Sequence, residues 1–274
     1  MISYICEMLS YPFLVRAIVV GILVALCAAL LGVSLVLKRY SMIGDGLSHV
    51  GFGSLAVATA FNLAPLWISV PVVVLAAFLL LRLSENSSVK GDSAIAIIST
   101  GSLAVGVMTI SLTTGMNVDV CNYMFGSILA MSKSDVWISI ILSVIVLILY
   151  ILFYRKIFTV TFDENFARAT GTKAGIYNML IALLTAVTIV IGMRLMGALL
   201  ISALIIFPSL TSMRIFKSFH GVVISSAILA IICFVIGISV SYGFSAPAGA
   251  SVVCVNLATL LLFSIIPVVF RRKD

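Results

Sequence analysis

Long apolar runs, separated by short polar connections, account for most of the chain. A run of about 20 apolar residues is long enough to cross the hydrocarbon core of a bilayer as a helix. Lipid offers no hydrogen bonds, so each such helix satisfies its own backbone groups. Nine candidate runs are present, at residues 12–37, 43–62, 65–83, 93–114, 136–154, 174–194, 197–214, 222–242 and 249–270.

These runs predict an all-α fold, a polytopic transmembrane bundle in which residues 1–274 form a single domain. A membrane β-barrel would instead show short alternating strands. The closely joined pairs at 62–65 and 194–197 leave the number of spans open. If one pair is a re-entrant element, eight spans remain and the N-terminus moves to the other side of the membrane.

Composition supports the same class. Hydrophobic residues make up 63% of the 274 positions and charged residues only 9%. A soluble domain carries about 25% charged residues, so this chain lacks the polar surface of a soluble protein. We attribute the net charge of +7 to Lys and Arg residues in the connections between spans. We therefore expect no nucleic-acid partner.

The positive charges predict the orientation. Thirteen of the 16 Lys and Arg residues lie in alternate connections, and only Arg16, Lys133 and Arg194 belong to the other side. Cytoplasmic connections carry the excess of positive charge. We therefore expect the C-terminus inside the cell and, with nine spans, the N-terminus outside.

Asp45 and His49 are the most informative polar residues, because ionisable side chains within a span are costly and are functional candidates by default. Their i, i+4 spacing places both on one face of a helix. Carboxylate and imidazole suit ions such as Zn²⁺ and Mn²⁺. Two ligands are too few for a stable site, but a two-fold homodimer would supply two Asp and two His.

An alternative interpretation of this pair stays open at this point. Asp45 could form an ion pair with Lys38 or Arg39 near the membrane surface, and His49 could hydrogen-bond a neighbouring helix. Two further polar residues are interpreted without a special role: His220 as a solvated loop residue and Asp119 as an ordinary loop acid.

Enzyme motifs are absent from the sequence. It contains no GxxxxGK[ST] phosphate-binding loop, no HExxH and no GxSxG, the patterns typical of ATP binding, zinc proteases and serine hydrolases. We predict that the chain is not an enzyme. If it transports against a gradient, the energy enters through a partner or an ion gradient.

The segment from Arg39 to His49 reads RYSMIGDGLSH. This segment resembles the hallmark of one known family, the metal-ion permeases of bacterial ATP-binding-cassette importers, and three further segments match in order. The family's cytoplasmic loop is similar to 162–171, its following span to 194–208 and its last outer turn to 241–249. The family often has an aspartate where this chain has Ser245, so no role for that acid carries over.

The resemblance implies a type II importer-like permease of the bacterial plasma membrane, with Asp45 and His49 as metal ligands. It implies a homodimer, a cytoplasmic ATP-binding subunit and an extracellular metal-binding lipoprotein. Zn²⁺ or Mn²⁺ would be the cargo, with no permanently bound cofactor. Both metals suit the pair, and we favour zinc because the Irving–Williams order gives Zn²⁺ the higher affinity.

Two segments qualify as the contact with the ATPase. We favour Phe207–His220, where Pro208 is expected to end the span and an amphipathic anchor would enter an ATPase groove. The residues proposed for this contact are Pro208, Leu210, Met213, Arg214 and Phe216. The second candidate is the loop 162–171, with the charged residues Asp163, Glu164 and Arg168.

Three rival functions remain. A secondary transporter predicts inverted repeats and discontinuous helices. An intramembrane enzyme requires a nucleophile–base pair or a full set of metal ligands in one chain. An importer of metal chelates or vitamin B12 would share a distant architecture and would not need a buried Asp/His pair.

Overall fold

The computed structural model describes residues 11–86, 91–113 and 133–270. All secondary-structure elements in these ranges are helices. In chain order they are α1 Pro12–Leu37, α2 Ser41–Ala60, α3 Pro65–Asn86, α4 Gly91–Thr113, α5 Lys133–Leu152, α6 Tyr154–Phe162, α7 Glu164–Ala169, α8 Ala174–Ile215, α9 Phe219–Phe244 and α10 Ala248–Phe270.

Eight segments in the described ranges are long and apolar enough to cross a membrane. Helix α2 matches the predicted run 43–62 but is not among these eight, because glycine, serine and the ionisable pair lower its hydropathy. Its 20 residues give a length of about 30 Å. Thirteen of them are buried against α3, α4 and α8. Helix α2 is thus covered mainly by other helices rather than by lipid, so it does not need a strongly apolar surface. The predicted transmembrane helical bundle is confirmed.

Helix α8 contains two of the predicted spans, joined without a loop. The first arm is Ala174–Arg194 and the second arm is Met196–Ile215. They meet at Gly197, whose φ of 82° and ψ of 163° are non-helical and belong to a region populated almost only by glycine. A Cβ built on Gly192 would lie 2.5 Å from Cδ1 of Ile201. Nine residues of continuous helix would span about 13.5 Å, so the second arm folds back against the first.

The prediction that Pro208 ends its span is wrong. Helix α8 continues through Pro208 to Ile215. Proline removes one backbone donor, and membrane helices tolerate that loss where neighbouring groups satisfy the freed backbone. The buried hydroxyl of Ser209 lies 3.0 Å from the carbonyl oxygen of Ile205 and 3.4 Å from that of Ala29 on α1. Before the proline, a Cβ on Gly32 of α1 would lie 2.0 Å from the carbonyl oxygen of Ile205. The second arm therefore packs against α1 on both sides of Pro208.

Glycines bring α4 into direct contact with α2. A Cβ on Gly53 would lie 2.5 Å from the carbonyl oxygen of Ser102, and one on Gly106 would lie 2.9 Å from Cα of Gly53. Small residues permit such close approach of membrane helices. This contact covers one side of α2 and leaves another side for the ionisable pair. A Cβ on Gly101 would meet no atom within 4 Å, so Gly101 does not take part.

Candidate metal site on helix α2

A tight turn between α1 and α2 determines where the candidate ligands lie. Arg39 adopts a left-handed conformation with φ 61°, as residues just after a helix C-terminus commonly do. The amide of Tyr40 donates to the carbonyl of Leu35 at 2.8 Å. Helix α2 begins at the next residue, Ser41, so Asp45 lies in its second turn.

Asp45 and His49 lie side by side, as their spacing predicts. Oδ2 of Asp45 is 3.7 Å from Nε2 of His49, which is longer than a hydrogen bond. Two ligand atoms at about 2.1 Å from a tetrahedral ion are roughly 3.4 Å apart. A small movement of either side chain would therefore let one cation bind both.

The pair lies on the open face of an otherwise buried helix. The side chains of Asp45 and His49 are 44% and 22% exposed, and Met42, one turn earlier, is 52% exposed. Within the described ranges, no group of three or more His, Cys, Asp or Glu side chains could hold a metal ion. At this site the described part of one copy therefore offers only the two ligands Asp45 and His49, on a surface that a second protein could cover.

Ser202 is a polar neighbour of the pair that the sequence analysis missed. Its hydroxyl, on the second arm of α8, lies 3.4 Å from Oδ1 of Asp45 and 3.2 Å from the carbonyl oxygen of Ala198. Ser48 hydrogen-bonds the backbone of Asp45 within α2 at 2.7 Å. The available signal for Ser202 was a hydroxyl shortly after Gly197, but only the fold-back of α8 brings it to α2.

We expect Ser202→Ala to weaken Zn²⁺ or Mn²⁺ binding about tenfold, because groups that orient metal ligands typically contribute 10- to 100-fold in affinity and this contact is long. Ser202→Thr keeps the hydroxyl and should retain most of the affinity. Equilibrium metal binding to the purified protein measures the change. Ser225→Ala is the control, since that hydroxyl bonds the carbonyl of Val222 within α9. Equal affinities for Ser202→Ala and the control would remove Ser202 from the site.

Lys38, which the alternative interpretation pairs with Asp45, forms an ion pair with Glu164 at 3.4 Å. Glu164 begins α7 and also accepts a hydrogen bond from Arg168 at 2.6 Å. Burial alone raises the pKa of Glu164. Hydrogen bonds from Asn178 and Arg168 and the charge of Lys38 outweigh burial and lower that pKa. The carboxylate that faces Lys38 is thus held in its charged form.

The second candidate for the ATPase contact, the loop 162–171, folds into α7. Asp163 is its N-cap, and its carboxylate accepts from the amide of Phe166 at 2.9 Å, the usual way a helix start is satisfied. The Phe166 side chain is 59% exposed. The loop therefore forms a short helix that presents an aromatic side chain.

The first candidate is not a separate cytoplasmic element. Residues 207–215 are the end of α8, and only 216–218 separate it from α9. Met213 packs against the core, whereas Leu210 and Phe216 are 36% and 44% exposed. Arg214 is exposed. The segment presents the end of a span rather than an independent amphipathic anchor.

The remaining sequence-predicted residues lie apart from the pair. His220 is exposed, as expected, but it lies in the first turn of α9 rather than in a loop. Its Nδ1 is 3.0 Å from the hydroxyl oxygen of Tyr154 on α6. Ser245 caps α9 in a left-handed conformation. Asp119 lies outside the described residues.

The profile of the ABC 3 transport family matches residues 10–267. The manganese transport system membrane protein MntC of Halalkalibacterium halodurans is 30% identical over 91% of this chain and 85% of its own length. The high-affinity zinc uptake system membrane protein ZnuB of Buchnera aphidicola is 31% identical, over 89% and 94% respectively.

Solved structures agree with this match. A chain in the structure of PsaBC from Streptococcus pneumoniae in complex with Fab aligns with a TM-score of 0.86 at 28% identity, over 96% of this chain and 95% of that chain. A putative metal-chelate type ABC transporter in an inward-facing conformation shares the fold, with a TM-score of 0.74 at 15% identity. The chain belongs to the ABC 3 transport family and is a multi-pass membrane permease subunit of an ATP-binding-cassette transporter.

Proposed function

We propose that two copies of this chain form the pathway of an importer that carries Zn²⁺ or Mn²⁺ into the cell, with Asp45 and His49 as the ligands. The observation that carries the proposal is the carboxylate and imidazole, 3.7 Å apart, on the open face of a helix that is otherwise buried. The similar proteins MntC and ZnuB, named for manganese and zinc, support the same cargo class.

The homodimer follows from the number of ligands. A tetrahedral zinc site requires about four ligands, and a two-fold axis beside the open face of α2 would bring two Asp45 and two His49 together. The same arrangement would cover the exposed side chain of Met42. An extracellular metal-binding lipoprotein would deliver the ion, and no permanently bound cofactor is required.

The donor set accepts both metals, and we keep zinc as the first expectation. Imidazole suits zinc, and carboxylate suits manganese. The Irving–Williams order places Zn²⁺ above Mn²⁺ in raw affinity, whereas both metals appear among the names of similar proteins. The metal available to the cell would then decide which one is carried.

The test is uptake of Zn²⁺ and Mn²⁺ in a bacterial strain that lacks its own importers for both metals. The chain would be expressed with its ATPase and its metal-binding lipoprotein, and accumulation of each radioactive ion would be followed. We expect ATP-dependent uptake of at least one free ion. Uptake of a metal chelate or vitamin B12, with neither free ion carried, would support the rival importer instead.

We place the main ATPase contact on α7, a reversal of the sequence-based preference for Phe207–His220. Helix α7 is a separate short helix with an exposed Phe166, whereas 207–215 completes a span. The two candidates also meet: the ring centroids of Phe162, in the loop 162–171, and Phe219, in Phe207–His220, are 6.2 Å apart. Movement of one segment would therefore displace the other through the packed aromatic rings.

Single cysteines test this contact. We expect Phe166→Cys and Ala169→Cys to crosslink to cysteines in the ATPase groove, and Met213→Cys and Phe216→Cys to crosslink weakly or not at all. Uptake is assayed alongside, because crosslinked permease should stop transporting. Crosslinking from positions 213 and 216 alone would restore the first candidate, and crosslinking from neither segment would contradict the ATPase partnership.

A further inference from the structure

Three polar side chains from three different elements meet where α1 ends. Nζ of Lys38 lies 3.4 Å from Oε2 of Glu164 and also donates to Oδ1 of Asn178. Nδ2 of Asn178 donates to the same Glu164 oxygen at 3.1 Å. Each member of this Lys38–Glu164–Asn178 cluster therefore contacts the other two.

Two members of the cluster, Lys38 and Asn178, are shielded from water by the helix bundle. The side chain of Lys38 is 9% exposed, and Asn178 is 5% exposed. A buried ammonium group is costly unless it is paired and hydrogen-bonded. Removal of one partner leaves the other charge uncompensated, which makes such contacts sensitive to small displacements.

The cluster connects α7 to both elements that hold the candidate metal ligands. Lys38 caps α1 and lies three residues before the start of α2, whose second turn carries Asp45. Asn178 lies in the first arm of α8, and the second arm places Ser202 beside Asp45. Glu164, the first residue of α7, is the point where these two routes join.

Arg168 already compensates the negative charge of Glu164, so Lys38 is not needed for that purpose. The Arg168 guanidinium, on the same short helix, already pairs with Oε1 of Glu164 at 2.6 Å. The other carboxylate oxygen faces away from α7, toward Lys38 and Asn178. This division of the two oxygens makes Glu164 a bridge between α7 and the bundle.

We infer that the Lys38–Glu164–Asn178 cluster transmits movement of α7 to α2, so that Lys38 and Glu164 are positioning residues for transport. The inference rests on the proposed function, in which an ATPase binds α7 and metal passes Asp45 and His49. When α7 moves, Glu164 displaces the ammonium of Lys38 and with it the turn that begins α2. ATP hydrolysis is thereby linked to a change at the metal ligands.

The experiment measures metal ions transported per ATP hydrolysed, in proteoliposomes that contain the permease with its ATPase. We expect Lys38→Met and Glu164→Gln each to lower this ratio about tenfold, within the 5- to 150-fold range of coupling between sites. The ATPase rate should stay within about twofold of wild type, because the ATPase itself is unchanged.

A charge reversal, K38E together with E164K, should restore at least half of the lost ratio. The Asn178 amide both donates and accepts, so it can turn over to serve the reversed pair, and Arg168 is 62% exposed and free to swing into water. Lys173→Met is the matched control: it removes an exposed lysine at the start of α8 that makes no side-chain cap bond. The control should keep the wild-type ratio.

Wild-type ratios in both single variants would overturn the inference. So would a reversed pair that assembles but transports no better than the single variants, which would reduce the cluster to a stabilising contact. Loss of assembly in the single variants and in the reversed pair would also show that the cluster only stabilises the fold. Wild-type protein that carries neither Zn²⁺ nor Mn²⁺ with ATP would instead contradict the proposed function.

Discussion

Asp45→Ala and His49→Ala should each lower Zn²⁺ and Mn²⁺ uptake by more than about 100-fold, since even groups behind the ligands contribute 10- to 100-fold in metal affinity. In a two-fold pair, each substitution removes two of four ligands, one from each copy. Uptake of both ions and the amount of assembled complex in the membrane are the measurements. Each copy should still fold, because the side chains of Asp45 and His49 are 44% and 22% exposed within it. The complex should still assemble, because Met42 and the rest of the proposed interface are unchanged.

Met42→Leu is the control for this result. Met42 lies on the same face one turn earlier and is 52% exposed, and leucine keeps its apolar character without its sulfur. It should transport as the wild type does. Wild-type uptake by both alanine variants, at normal abundance, would exclude metal coordination by the pair.

Gly53→Ala should strongly destabilise the protein. The added Cβ would lie 2.5 Å from the carbonyl oxygen of Ser102, and a backbone atom cannot move aside as a flexible side chain can. Overpacking costs about 1–3 kcal/mol, and a backbone contact belongs at the upper end. For a chain of this size that corresponds to a decrease in Tm of roughly 6–12 °C. Thermal unfolding of the detergent-solubilised protein measures it.

Gly101→Ala is the matched control on the facing helix. A Cβ at Gly101 meets no atom within 4 Å, and alanine favours a helix more than glycine does, by about 1 kcal/mol. Its Tm should equal or exceed that of the wild type. Equal decreases in the two variants would show that close packing of α2 on α4 does not stabilise the fold.

The spans and the ligand pair could be predicted because both are local. Apolar runs mark the spans, and the i, i+4 spacing of Asp45 and His49 determines their proximity on any helix. Helix α2 matches its predicted run, 43–62, although its hydropathy is low. Most of its glycines and serines are buried, and no sequence pattern indicated which helices would cover them. The predicted orientation in the membrane stays a prediction.

The long-range contacts could not be predicted. Ser202 is 157 residues from Asp45 in sequence, and Glu164 is 126 from Lys38, so no spacing pattern indicates either contact. The role assigned to Pro208 was wrong because a proline's effect depends on what surrounds the helix. In a membrane bundle, packing against α1 keeps α8 continuous through it.

In the proposed transporter, Asp45 and His49 bind one metal ion between two copies of the chain. Equilibrium dialysis of the purified complex against Zn²⁺ and Mn²⁺, followed by elemental analysis, tests it most directly. We expect one ion for every two copies of the permease, and none at this site in Asp45→Ala. One ion per copy, or an unchanged ion count in Asp45→Ala, would contradict the claim.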